Sequence, residues 1–96
     1  MDTIDGMRTF VAVAKQKSFT SGAKLIGIST KLASKYIGQL EERLDAQLFH
    51  RTTRSVTLTE TGQAYFLKCV PVLEQFAELE DVVQQAFKRL VDISAP

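Results

Sequence analysis

Residues 27–62 read "GISTKLASKYIGQLEERLDAQLFHRTTRSVTLTETG" and join a glycine break, a helical run and a basic, threonine-rich segment. Ser29 can cap a helix through its side-chain oxygen, and apolar residues then recur at three- and four-residue steps. The predicted apolar stripe consists of Ala33, Ile37, Leu40 and Leu44. The outer face carries Lys31, Ser34, Lys35, Gly38 and Glu42. This stretch therefore predicts a helix that buries one face and presents lysines on the other.

Two further helices are predicted before this one. The first has Asp2 or Thr3 as its N-cap and a periodic apolar face. That face consists of Ile4, Met7, Phe10, Val11 and Ala14. The second helix is short, because Ser18 or Thr20 can cap it and Gly27 ends it. Two helices joined by a tight glycine-containing turn, with a polar outer face on the second, are typical of a helix-turn-helix.

The segment after Asp45 changes from helical to strand-forming character. Residues 47–59, "QLFHRTTRSVTLT", are rich in β-branched side chains, and Val56 and Leu58 alternate with threonines. We therefore predict two short strands joined around Thr52 and Thr53, which form a wing beside the helix-turn-helix.

A long helix is predicted after the wing, with Thr59 as its N-cap. Its apolar residues follow alternating three- and four-residue steps, as in a helix that packs against another helix. The members of this seam are Tyr65, Cys69, Val72, Phe76, Leu79, Val83, Ala86 and Leu90. At 1.5 Å per residue, residues 60–90 would extend about 45 Å, which exceeds the body of a small domain and predicts a homodimer through the seam. Pro71 is expected to bend this helix without ending it.

The predicted fold class is mainly α. It is a winged helix-turn-helix of three helices and a two-stranded wing, followed by a long linker and dimerisation helix. We place the winged domain at residues 1–58, the linker helix at 59–90 and a tail at 91–96. A chain of 96 residues suits one small domain with such an appendage.

The composition is that of a soluble protein, with 45% apolar and 24% charged residues. No apolar run approaches the ~18 residues that would indicate a membrane span. The first residues, "MDTIDGMRTF", lack the basic start and apolar core of a signal peptide, and the single cysteine cannot form an internal disulfide. We therefore expect a cytoplasmic protein with no membrane partner.

Charge is distributed unevenly, although the formal net charge is only +1. Residues 1–54 hold nine Lys or Arg against five acids, whereas residues 55–96 hold three against six. The first of these segments is therefore the candidate to contact a polyanion.

Two sets of side chains are placed to contact double-stranded DNA. In a helix-turn-helix, the first turns of the second helix lie nearest the base edges. The candidates for base readout are Thr30, Lys31, Ser34 and Lys35. The candidates for backbone contact are Ser18 and Thr20 at the start of the short helix, and Arg51, Thr52, Thr53 and Arg54 in the wing. The two arginines bracket the wing tip, from which a guanidinium can follow the backbone or enter a narrow minor groove.

An enzyme would have to be built from His50, Cys69, Glu41, Glu42 and the hydroxyl residues. Cys69 lies in the apolar seam, where a structural thiol is expected, and His50 has no partners at metal-binding spacing. We therefore predict no catalytic residue, metal or cofactor. A winged helix used only for protein contacts is the remaining alternative, since a fold does not dictate its function.

Three segments resemble the N-terminal DNA-binding domain of the LysR-type transcriptional regulators: "SFTSGAKLIGIS" (18–29), "SKYIGQLEERL" (34–44) and "LFHRTTRSVTLTETG" (48–62). The family pattern falls in order on Ser18, Phe19, Thr20, Ser29, Leu40, Glu41, Leu48, Phe49, Arg51, Leu58, Thr59 and Gly62. Departures are Thr30 and Lys31, where the family often has Gln and Pro, Lys35 in place of a frequent Arg, and Asp45 at a turn position that is usually Gly. Asp tolerates a left-handed turn better than most residues do.

The resemblance implies a bacterial regulator that binds promoter or operator DNA. It implies a homodimer formed through the linker helix, and a tetramer in the full-length protein. It also implies a C-terminal effector domain, absent from these 96 residues, as the part that binds a small molecule.

Overall fold

The computed structural model describes residues 2–52 and 56–94. Within them the chain forms four helices and a two-stranded antiparallel sheet. In chain order the elements are α1 (Thr3–Gln16), α2 (Phe19–Ile26), α3 (Thr30–Leu44), β1 (Phe49–Arg51), β2 (Val56–Leu58) and α4 (Glu60–Ser94). The predicted winged helix-turn-helix followed by a long helix is confirmed.

A side-chain oxygen caps the start of each helix, because the first turn leaves backbone N–H groups without intrahelical partners. The acceptors and their donors are Asp2 Oδ1 and Ile4 N (3.2 Å), Ser18 Oγ and Ser21 N (3.1 Å), Ser29 Oγ and Leu32 N (3.0 Å), and Thr59 Oγ1 and Gly62 N (2.9 Å). Of the two residues proposed for each of the first two caps, the structure selects Asp2 and Ser18.

Three helices end in a residue with left-handed backbone geometry. These residues are Lys17 (φ 54°), Gly27 (φ 75°) and Asp45 (φ 51°). Gly27 donates its N–H to the carbonyl of Lys24 at 3.2 Å, which closes α2 and sets the turn into α3. Asp45 occupies the strained turn between α3 and β1, as its position in the sequence predicted.

Phe10 lies at the centre of the core, with none of its side chain exposed. Its ring contacts the rings of Phe49 and Tyr65, with centroids 5.3 and 5.2 Å apart. Ile37 and Leu40 of α3 are buried against the same cluster. Leu44 was wrongly predicted as the fourth member of the buried stripe. It is 39% exposed because it is the last residue of α3, where the chain turns away.

The wing packs on α1 and α4 through β2, and Glu41 of α3 holds β1 by hydrogen bonds. In its antiparallel register, Phe49 pairs with Leu58, His50 with Thr57 and Arg51 with Val56. Thr53 and Arg54, two of the predicted wing contacts, lie outside the described residues. Thr52 is exposed at the end of β1.

The long helix α4 ends later than predicted, and its first turns pack within the domain. It contains Pro71, as predicted, and continues to Ser94, which is four residues beyond the predicted boundary at Leu90. Its first turns pack on α1, and the molecule measures 61 Å along its longest axis. In the described part of the chain, no helix is sufficiently long and apolar to span a membrane.

Candidate nucleic-acid interface

The exposed face of α3 carries the four residues predicted to read bases. Thr30, Lys31, Ser34 and Lys35 are all exposed, and they occupy the first two turns of the helix. Their exposure follows from the stripe on the opposite side, where Ala33 and Ile37 are fully buried. The structure therefore brings two ammonium groups and two hydroxyl groups onto one accessible surface.

The start of α2 contributes a second polar surface. The Ser18 hydroxyl accepts the N–H of Ser21, so it stabilises the helix, and the same hydroxyl carries a hydrogen that can be donated to a phosphate oxygen. Thr20 is exposed in the first turn. Since a helix N-terminus carries partial positive charge, this end of α2 favours an anion.

Arg51 is engaged with the protein itself, which the sequence did not predict. Its Nη2 lies 2.6 Å from Glu41 Oε1, and its guanidinium carbon lies 5.2 Å from the centroid of the Phe19 ring. The Arg51 side chain is nevertheless 44% exposed. The structure thus gives this arginine a contact to α3 and a cation–π contact to α2, while one side of it faces solvent.

Glu41 is the residue of this region that sequence reasoning missed. Its Oε2 accepts the N–H of Leu48 at 2.7 Å and that of Phe49 at 3.4 Å, while Oε1 accepts from Arg51. The signal that could have identified it is its position directly after Leu40, a residue predicted to be buried. An acid next to the core requires hydrogen-bond or charged partners. Arg51 was the nearby motif residue of opposite charge.

Comparison with known proteins assigns this arrangement to a family. Residues 4–63 match the model of the bacterial regulatory helix-turn-helix proteins of the lysR family. The chain belongs to the LysR family. This match contains α1, α2, α3 and the wing together with the start of α4, and it confirms the resemblance inferred from the motifs.

Two curated relatives illustrate the extent of the similarity. An HTH-type transcriptional repressor of Pseudomonas aeruginosa strain UCBPP-PA14 is 42% identical over 80 residues, which are 83% of this LysR-family chain and 25% of the repressor. The regulator BudR of Klebsiella aerogenes is 45% identical over 67 residues, which are 70% of this chain and 47% of BudR. The chain thus spans about a quarter of the length of the first relative and about half that of the second. Both relatives are transcriptional regulators by name.

Solved structures of LysR-family proteins share the fold. The BenM DNA-binding domain in complex with catB site 1 DNA superposes with a TM-score of 0.82 at 29% identity, covering 88% of this chain and 93% of that one. The CbnR DNA-binding domain in a DNA complex gives a TM-score of 0.81 at 26% identity, covering 90% and 98% of the two chains. A full-length OxyR variant from Pseudomonas aeruginosa gives 0.84 at 26% identity, covering 88% of this chain and 29% of that one.

The predicted dimerisation seam of this LysR-family domain divides into two parts. Cys69 is 2% exposed and Tyr65 is half-buried against Phe10, so both pack in the domain's own core. The assignment of Cys69 to a contact with a partner was wrong, because the first turns of α4 lie on α1 and bury this side chain. Tyr65 is partly exposed, and its contact with a partner stays a prediction. The remaining predicted members are exposed: Val72, Phe76, Leu79, Val83, Ala86 and Leu90. Sequence reasoning missed Val82 and Phe87, which are exposed beside them and fall outside a strict three- and four-residue repeat.

The environment of Cys69 is unsuited to nucleophilic chemistry. Its Sγ lies 4.0 Å from the carbonyl oxygen of Met7, within the apolar core. Burial raises the pKa of the Cys69 thiol to about 11. Burial likewise raises the pKa of the Tyr65 hydroxyl, with a smaller contribution from Cys69. Since the thiolate is the reactive form, this thiol is held in its unreactive state at neutral pH.

Proposed function

We propose that this chain is the DNA-binding domain of a bacterial LysR-type transcriptional regulator, and that it binds double-stranded promoter or operator DNA sequence-specifically. The observation that carries the proposal is the exposed pair Lys31 and Lys35 on the second helix of a helix-turn-helix, beside a wing. The neighbours BenM and CbnR, whose DNA-binding domains are described in complexes with DNA, support it.

In this proposal α3 enters the major groove and reads base edges. Lys31 and Lys35 donate to guanine O6 and N7, while Thr30 and Ser34 serve donor or acceptor edges. Their exposure in the first two turns supports this role, because those turns come closest to the groove floor in a helix-turn-helix complex.

Backbone contacts flank the groove and fix the register of α3 without reading sequence. Ser18 and Thr20 contact phosphate at the start of α2, and Thr52 contributes from the end of β1. Thr53 and Arg54 are proposed contacts from the sequence alone. This division predicts that losing a phosphate contact weakens binding to all duplexes, whereas losing a base contact changes preference among them.

We further propose that two chains associate through the later turns of α4. The exposed apolar side chains from Val72 to Leu90 support this, because contiguous apolar surface on a helix is typical of an interaction site. A symmetric dimer would present two copies of α3 to two half-sites. For a longer chain, we propose a tetramer and a C-terminal domain that binds a small-molecule effector. We also propose a cytoplasmic location.

Selection of bound sequences from a random duplex pool, followed by fluorescence anisotropy with the selected duplex, tests the DNA-binding proposal. We expect one enriched motif and an affinity that falls steeply as salt rises, because cationic side chains that bind a polyanion displace its condensed counterions. The matched variants are Lys31→Glu with Lys35→Glu on α3 and, as control, Lys88→Glu on α4. Absence of binding to any duplex at low salt would favour the alternative, a protein-interaction module.

A further inference from the structure

We propose that Glu41 is a positioning residue for DNA binding, which fixes the wing relative to the recognition helix α3 through Arg51. This inference rests on the DNA-binding function proposed above. It assigns Arg51 a role within the protein as the partner of Glu41, and it leaves phosphate contact to other residues of the wing.

Both oxygens of the Glu41 carboxylate accept hydrogen bonds. Oε2 lies 2.7 Å from the Leu48 N–H nitrogen, and Oε1 lies 2.6 Å from Arg51 Nη2. The side chain is 13% exposed, so water has little access to it. A carboxylate in this position is stable because charged and backbone donors replace its hydration. Charge-assisted hydrogen bonds of this length restrict both partners to one geometry.

Arg51 extends the connection to a third element. Its guanidinium lies 5.2 Å from the ring centroid of Phe19, the first residue of α2, and that ring lies 5.9 Å from the ring of Phe49. A planar guanidinium can pair with a carboxylate at its edge and stack on a ring at its face, whereas an ammonium group lacks this flat face. Arg51 therefore joins β1 to α3 and α2 at the same time.

Gln47 and Leu48, which precede β1, are also held by Thr59 at the start of α4. The Leu48 carbonyl accepts the N–H of Thr59 at 3.0 Å, and Thr59 Oγ1 donates to the Gln47 carbonyl at 2.6 Å. The N–H of Leu48 is thus bound by α3 and its carbonyl by the start of α4. With Glu41 removed, the Leu48 N–H and the Arg51 guanidinium lose their acceptor on α3. The Phe49 ring stays packed on Phe10 and Phe19, so β1 keeps its place in the core while the wing loses its hydrogen-bonded connection to α3.

Glu41→Gln separates positioning from a simple charge effect, because the two predict opposite signs. Gln keeps the shape and one acceptor oxygen but removes the negative charge. Removing an acid near DNA should by itself tighten binding, because repulsion of phosphate is lost. Positioning predicts that affinity for the selected duplex instead falls by about threefold or more, the scale of an exposed ion pair. The control is Glu42→Gln, an exposed residue with the same charge, for which we expect equal or tighter binding.

Arg51→Lys supplies a second variant that keeps the cation and disturbs the fold least. If Arg51 positions the wing, Arg51→Lys weakens binding to the selected duplex, and the slope of log affinity against log salt is unchanged. If Arg51 instead contacts phosphate directly, Arg51→Gln should reduce the slope of log affinity against log salt by about 0.9. In the double variant Glu41→Gln with Arg51→Gln, the loss should be smaller than the sum of the two single losses, since both single variants lose the same Glu41–Arg51 contact.

Amide hydrogen exchange at Leu48, measured on the free proteins, gives a readout that is independent of DNA. We expect faster exchange in Glu41→Gln than in wild type and no change in Glu42→Gln. Wild-type binding together with equal effects of Glu41→Gln and Glu42→Gln would overturn the positioning role alone. Failure of the wild type to bind any selected duplex would overturn the proposed function first.

Discussion

The double substitution Leu79→Glu with Val83→Glu tests whether α4 mediates dimerisation. Leu79 and Val83 lie one turn apart in the seam, and they are 63% and 66% exposed in the single chain. If two chains pack along this face, the side chains become buried on association. Glutamate at both positions would remove that apolar burial and place unpaired charges in the contact.

The expected magnitude follows from these exposures. Full burial of Leu or Val stabilises by about 1.5 to 3 kcal/mol, so covering the exposed two-thirds gives about 1 to 2 kcal/mol for each side chain. A symmetric dimer contains four such side chains, which gives at least about 4 kcal/mol. Since each 1.4 kcal/mol corresponds to about tenfold in the dissociation constant, the double variant should dissociate about a thousandfold more readily. Desolvation of the new carboxylates adds to this loss.

Sedimentation velocity over a range of protein concentrations measures the effect. The control is Gln84→Glu with Gln85→Glu, which adds the same charge on the part of α4 that also presents Asp81 and Lys88. We expect a dimer for wild type and for the control, and a monomer for the seam variant with unchanged helical circular dichroism. A wild type that stays monomeric, or a seam variant that dimerises as the control does, would refute the reasoning.

Three further predictions concern specificity, packing and pH. Lys35→Ala should lower affinity for the selected duplex by about 1 to 3 kcal/mol and for a scrambled duplex much less, so an unaltered ratio in paired titrations would exclude base readout by Lys35. Gly62→Ala should destabilise by about 1 to 3 kcal/mol in urea unfolding, because its Cβ would lie 2.0 Å from the Leu48 carbonyl oxygen. Gly38→Ala, whose Cβ meets nothing within 4 Å, should instead stabilise α3 by up to about 1 kcal/mol, and equal effects of the two would contradict the packing argument. Folding raises the pKa of the Cys69 thiol from 9.0 to about 11, so the protein should keep its stability below pH 9 and lose stability as the pH rises through 11. Urea unfolding midpoints measured over this pH range should decline less in Cys69→Ala than in wild type.

The local elements could be predicted from sequence because their signals are local. A cap residue satisfies N–H groups two or three positions later, and a helical repeat identifies the buried face over a few turns. Ser29, Ala33 and Ile37 therefore sufficed to orient α3, and the same periodicity placed Lys31 and Lys35 on its exposed side. The strands could be predicted for a related reason, since a short run rich in β-branched residues favours a strand over a helix.

The contacts that join elements could not be predicted in the same way. Glu41 and Arg51 are ten residues apart, and their pairing depends on the left-handed turn at Asp45, after which Leu48, Phe49 and Arg51 reach the Glu41 carboxylate. From the sequence, Arg51 was placed beside the wing tip, where its charge indicated a contact with DNA. Only the fold shows that Phe19 and Glu41 already contact its guanidinium.

The misassignment of Cys69 has a physical explanation that bears on how the two parts of the molecule are connected. A helical repeat identifies an apolar face but not what covers it. The face of α4 is covered by α1 in its first turns, whereas the predicted seam residues from Val72 to Leu90 are exposed. One uninterrupted helix therefore belongs both to the DNA-binding core and to the proposed dimer contact. Because Gly62 approaches the Leu48 carbonyl and Cys69 lies against Met7, the start of α4 has little freedom to rotate within the domain. The direction of α4 is fixed relative to the recognition helix, so the way in which two such helices pack would set the distance between the two DNA-reading surfaces.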